Sequence, residues 1–108
     1  MSSVQNPNVI DLISHNLQTD VVSLGMLEER EWDGSEDRLL ELEAKIQSYF
    51  SFIVDGQLAR VYPAYADKQV EVRLFCSSLP DSETDGFLEQ LKVRLSDYNI
   101  GFVVSKLK

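Results

Sequence analysis

Nucleophilic catalysis needs a serine or cysteine held beside a base, and this chain offers one histidine, His15, and one cysteine, Cys76. Cys76 ends an alternating stretch on its covered side, which predicts a small buried hydrophobe with a raised pKa. His15 reads as a strand-end residue facing solvent. One Cys and one His fall short of a structural zinc site. The acids Glu28, Glu29, Glu31, Asp33, Glu36 and Asp37 gather around Trp32 and invite a test for a hard cation. From Asp33, the calcium-loop pattern fails, because Arg38 stands where glycine is required and Ala44 where the bidentate Glu belongs. These acids are more simply a solvated rim plus helix-start charges. No acid falls in an apolar context of the kind that perturbs catalytic carboxylates. The five glycines are dispersed singly, so no phosphate-cradling loop is expected. Neither a catalytic centre nor a cofactor nor a metal is expected, and a small enzyme with an unrecognised site is kept as an alternative.

The elements that must position these residues follow from periodicity. Val9–Ile13 is β-branched and apolar and predicts a first strand. The polar run 16–20 has turn chemistry. Val21–Leu27 predicts a second strand with Val22, Leu24 and Met26 on one face, the two forming an antiparallel hairpin. Gly25 marks a bulge or a close approach. A helix is predicted over residues 35–54. Asp33 or Ser35 caps it, Glu36 and Asp37 suit its positive end, and Leu39, Leu42, Ile46, Tyr49, Phe50 and Ile53 form its stripe. Glu41 and Lys45 have the spacing of an exposed pair, and Gly56 supplies a left-handed stop.

Residues 57–63 read either as a short extra helical turn ended by Pro63 or as irregular chain. Gln69–Ser77 alternates almost completely: Val70, Val72, Leu74 and Cys76 face one way, and Gln69, Glu71, Arg73, Phe75 and Ser77 the other. Such alternation predicts one covered face and one open face. A second helix opens at Pro80-Asp81-Ser82 with the stripe Phe87, Leu88, Leu91, Leu95 and Tyr98, and Ile100–Val104 predicts the last strand. The order is ββαβαβ. Strand–helix–strand units of this length join parallel strands by right-handed crossovers. The expected fold is therefore α+β, a two-layer sandwich with a mixed four-stranded sheet and two helices on one face. Residues 1–108 form a single domain, with 1–8 a flexible N-terminal segment.

Three segments resemble a family of small uncharacterised bacterial proteins. They are Asn6–Ile13, Glu29–Ser35 (EREWDGS), and Gly56-Gln57-Leu58 through Tyr62-Pro63-Ala64-Tyr65. The resemblance runs across most of the chain. It implies a bacterial, single-domain, cytosolic protein and carries no catalytic residues with it.

Charge is the other informative property. Residues 1–54 hold ten acids against three bases, and residues 55–108 eight against seven, so nearly all of the net −8 belongs to the first half. That field repels phosphate backbones and argues against nucleic acid. No stretch approaches the roughly 20 apolar residues of a membrane span, and a cytoplasmic location is the default. Trp32, between Glu31 and Asp33, either staples the strand–helix junction to the core or stands out as an anchor. Phe52 lies off the helix stripe, Phe75 points to the open face, and Tyr62 and Tyr65 flank Pro63. The candidate interaction surface is thus Trp32, Glu28, Glu31, Asp33, Phe52, Tyr62, Tyr65 and Phe75. The expected function is a protein-interaction module that binds a protein partner or itself as a homodimer. The alternative is an immunity or antitoxin-type protein masking a basic toxin.

Overall fold

The computed structural model describes residues 10–32, 35–78 and 80–106. Its elements are β1 (Leu12–Asn16), β2 (Val21–Glu28), α1 (Glu36–Val54), α2 (Gln57–Val61), a single 3-10 turn (Pro63–Tyr65), β3 (Gln69–Cys76), α3 (Ser82–Ser96) and β4 (Gly101–Lys106). The strands form one sheet in the order β1-β2-β3-β4, with β1 antiparallel to β2 and the other two pairings parallel. This is the expected α+β architecture. Val9, the expected strand start, and the 1–8 segment lie outside the described residues.

The chain reverses between β1 and β2 on polar side chains. Asn16 Oδ1 accepts from the backbone N–H groups of Gln18 and Thr19 at 2.9 and 3.2 Å. Asp20 adopts a left-handed φ of 61°, a conformation its short polar side chain tolerates. The first strand therefore runs three residues further than apolar content alone predicts, as far as Asn16.

Ser35 caps α1, its hydroxyl accepting from the Arg38 N–H at 3.4 Å; Asp33 lies outside the described residues. Gly56, at φ 86°, takes the left-handed position that ends the helix. The ambiguous stretch after it becomes the five-residue α2, stopped before Pro63. Asp81 caps α3 by accepting from Thr84 N–H at 2.8 Å.

One core lies between the helices and the sheet. Val22, Leu24, Met26, Val72 and Leu74 from the strands are fully buried against Leu42, Ile46 and Tyr49 of α1 and Leu88, Leu91 and Leu95 of α3. Truncating any of these leucines to alanine should cost about 2–5 kcal/mol. Because both α1 and α3 pack on this side, the other side of the sheet stays open.

Two charged residues depart from their expected places. Lys45 is fully buried, and its Nζ meets Asp11 Oδ1 at 2.9 Å instead of pairing with Glu41 on the surface. Glu41 pairs with Arg30 at 2.7 Å. Glu28 is 1% exposed, its carboxylate held by Arg30 at 2.8 Å and Arg38 at 3.5 Å. Asp11 and Glu28 thus sit in the core's margin, where ion pairing and hydrogen bonds compensate the lost hydration.

Candidate functional site

The open face is built from alternate residues of all four strands. The register sets Leu12 beside Gly25 and Ser14 beside Ser23, continues from β2 to Glu71, Arg73 and Phe75 on β3, and ends at Gly101, Val103 and Ser105 on β4. Its centre is a chain of polar contacts. Ser23 Oγ donates to Glu71 Oε2 at 2.6 Å. Arg73 Nε and Nη2 donate to the same carboxylate oxygen at 3.1 and 2.9 Å. Arg73 Nη1 reaches across to Ser105 Oγ at 2.9 Å. The guanidinium is thereby pinned flat along the sheet, tying β2, β3 and β4 together on their solvent side.

One end of this face is apolar. A Cβ on Gly25 would lie 3.0 Å from the Phe75 ring and 3.2 Å from Leu12 Cβ. The glycine is therefore a close approach, and its missing side chain leaves room for Phe75 to reach Leu12 across β2. Leu12 stays 46% exposed. Together with Ser14, Val21 and Thr19 these residues line a groove of about 640 Å³, within the range of ligand and partner pockets.

The other expected surface residues are distributed over three places. Trp32 packs against the core, with Arg38 Cζ 5.8 Å from its ring centre. Its buried Nε1 makes no ordinary hydrogen bond; the Cys76 thiol, a weak acceptor, lies beside it. Burial pushes that thiol up to about 11, with the Trp32 indole acting in the opposite direction. Trp32 is thus the staple of the two readings. Glu28 offers no surface, being buried under its arginines, while Glu31 is exposed and its carbonyl accepts from Arg38 Nη2. Asp33 is outside the described residues. Phe52 is half-buried against the core.

Tyr62 and Tyr65 stack at 5.7 Å, and Tyr65 meets the His15 ring at 5.4 Å. His15 Nε2 lies 2.7 Å from Asp20, which Lys68 also reaches at 3.0 Å. Lys68, and His15 after it, hold the Asp20 carboxyl below its usual range. This cluster fastens the β1–β2 turn to the start of β3. His15 pairs across to Val22 and thence to Val70, six residues from Cys76. At about 3.3 Å per residue, His15 and Cys76 are about 20 Å apart, far beyond the reach of a catalytic dyad.

A second groove, of about 320 Å³, runs between α1 and α3 over Ile46, Phe50, Leu91 and Leu95. Tyr98 closes edge-on against Phe50 at 4.7 Å, and Arg94 pairs with Glu43 at 3.4 Å. Among the described residues no group of three or more His, Cys, Asp or Glu is arranged to hold a metal ion. No helix among them is long and apolar enough to cross a membrane.

Phe75 lies on the open face, as the alternation of residues 69–77 predicts, whereas the Asp11–Lys45 pair and the closeness of Leu12 to Gly25 are not marked by any periodicity. Asp11 carried a signal of its own, an acid in the middle of Val9–Ile13, where an unpaired charge has no place. No curated protein and no solved structure matches the chain. The sequence profile of the family of unknown function DUF6572 matches residues 2–108, and the chain belongs to that family.

Proposed function

We propose that this chain is a protein-interaction module whose docking surface is the open face of its sheet. The observation that carries this reading is the placement of Phe75. A large aromatic side chain lies on the uncovered face, given room by Gly25 and continued by the exposed Leu12. Aromatic anchors beside immobilised polar groups are the composition of binding hot spots. Here the polar partner is Arg73, already fixed by Glu71 and Ser105, so a docking protein meets a guanidinium that loses little freedom on binding. Titratable groups elsewhere support the same reading. Asp11, Lys45 and Glu28 are engaged in holding the fold, and Cys76 is a buried hydrophobe.

The test is affinity capture with the wild-type chain, with Leu12→Ser/Phe75→Ser, and with Leu40→Ser, a control on the helix side that is 55% exposed. A partner retained by the wild type and by Leu40→Ser but lost from the open-face variant is the expected result. Equal retention by all three contradicts the proposal.

A second reading, the masking of a basic toxin, draws on Glu29, Glu31, Glu36 and Asp37, which stay exposed near the start of α1. It calls for a basic partner whose binding weakens steeply with salt. Reversing Glu31, Glu36 and Asp37 to lysine should then abolish capture, whereas the open-face reading expects it to persist.

A further inference from the structure

The sheet ends at β4, and among the described residues no strand pairs with its outer edge. Natural sheets guard such edges with proline, charge, bulges or a covering element, because free N–H and C=O groups template another strand. Residues 101–105, Gly-Phe-Val-Val-Ser, carry neither proline nor charge, and the one charge of β4 is Lys106 at its end. Val104, on the helix side of the strand, is 41% exposed. Beside it a groove of about 340 Å³ runs between β4 and α3, lined by Asp85, Glu89 and Lys92.

We infer that β4 pairs antiparallel with β4 of a second copy of this chain, across a two-fold axis at Val103, making one continuous sheet. An axis perpendicular to the sheet keeps each side of one copy on the same side of the other. Facing residues must then share a face, so the axis passes through a residue and not between two. Centred on Val103, this register sets Phe102 opposite Val104 of the partner subunit, on the helix side. It sets Gly101 opposite Ser105 of the partner subunit, on the open side. The exposed Val104 thereby gains an apolar neighbour.

Charge on α3 has the same symmetry. Asp85 and Glu89 stand in the half of the groove nearer the start of the helix, and Lys92 in the half nearer its end. A two-fold axis lays α3 antiparallel to its copy, so Asp85 meets Lys92 of the partner subunit, and the reverse. A self-complementary contact of this kind closes as a dimer and does not propagate. The inference goes beyond the open-face reading: the dimer presents two open faces side by side on one surface, a platform for bivalent binding.

Sedimentation equilibrium of the full chain tests the inference, with circular dichroism to confirm that each variant is folded. The wild type should sediment at twice the chain mass. Val104→Glu, which sets a charge against the apolar contact, should yield monomer. Lys92→Glu should weaken the dimer about tenfold, and Asp85→Lys/Lys92→Glu, which swaps both signs, should restore it. Leu12→Ser/Phe75→Ser should leave it intact. A wild-type monomer at about 100 µM, well above a micromolar dissociation constant, overturns the inference. So does a dimer indifferent to Val104→Glu, or failure of the charge swap to restore association. Loss of the dimer in Leu12→Ser/Phe75→Ser also overturns it, moving self-association to the open face.

Discussion

Asp11 is the residue on which the attachment of β1 depends. Its carboxylate accepts from Lys45 at 2.9 Å and from the Leu27 N–H at 2.9 Å. Its own N–H donates to the Tyr49 hydroxyl at 2.9 Å, and that hydroxyl donates to the Gly25 carbonyl at 2.6 Å. The carboxylate thus continues the β1–β2 ladder one step past Leu12, and Lys45 balances its charge. Removing one partner strands the other charge in the core. Asp11→Ala or Lys45→Ala should each cost about 3–5 kcal/mol, whereas Asp11→Leu/Lys45→Met should cost far less; urea unfolding with a double-mutant cycle measures the difference. Burial also places Tyr49 and Cys76 on one side of a pH balance. Both are acids whose pKa is raised by desolvation, Cys76 from 9.0 to about 11. The folded chain therefore keeps protons that the unfolded chain releases. The Cys76 contribution is intact below pH 9.0 and declines as the pH rises towards about 11, and that of Tyr49 declines from pH 10.0 upward. Thermal melts across that window should fall in midpoint with rising pH, and Cys76→Ala should flatten part of the fall. The same thiol should resist alkylation at about pH 8 until the chain is unfolded.

The elements were legible where one periodicity ran unbroken. The alternation of residues 69–77 gave β3 to within a residue, and steps of three and four gave α1 and the stripe of α3. Legibility failed where a charged residue took a core position. Lys45 lies between Leu42 and Tyr49 on the buried face of α1, but nothing in its neighbourhood marks its partner as Asp11, 34 residues away. Apolar content places β1 too early because its outer half, Ser14-His15-Asn16, is polar on an edge that one neighbour alone must hold. Of the two roles open to Gly25, a bulge or a close approach, the structure shows the latter. Gly25→Ala should force Phe75 or Leu12 aside and destabilise by about 1–3 kcal/mol. Phe75→Ala in the same chain should recover part of that loss, as read by denaturant midpoints. Gly86 is the opposite case, since nothing lies within 4 Å of a Cβ added there. Gly86→Ala in α3 should stabilise the fold by about 0.5–1 kcal/mol.

For the whole molecule, the net −8 is less of a patch than composition alone indicates. Glu28 and Glu41 are spent on Arg30 and Arg38 beside Trp32, and Asp11 on Lys45. The region expected to combine Trp32 with a dense acidic surface instead half-buries the tryptophan against the core and fully buries one of its acids. The open face keeps its candidate residue, Phe75, and gains Leu12 and a fixed Arg73. The two regions lie on opposite sides of the sheet, since Cys76, beside Trp32, and Phe75 are successive residues of one strand. A partner therefore cannot cover both with a single flat contact. Hydroxyl-radical footprinting of the chain, free and bound to its captured partner, separates the two sides most directly, because it reports side-chain exposure in strands whose amides are already bonded. Leu12 and Phe75 should lose reactivity on binding, while Leu40 of the helix side should not. Unchanged oxidation of Phe75 in the complex, with protection confined to the helix side or to the start of α1, would contradict it.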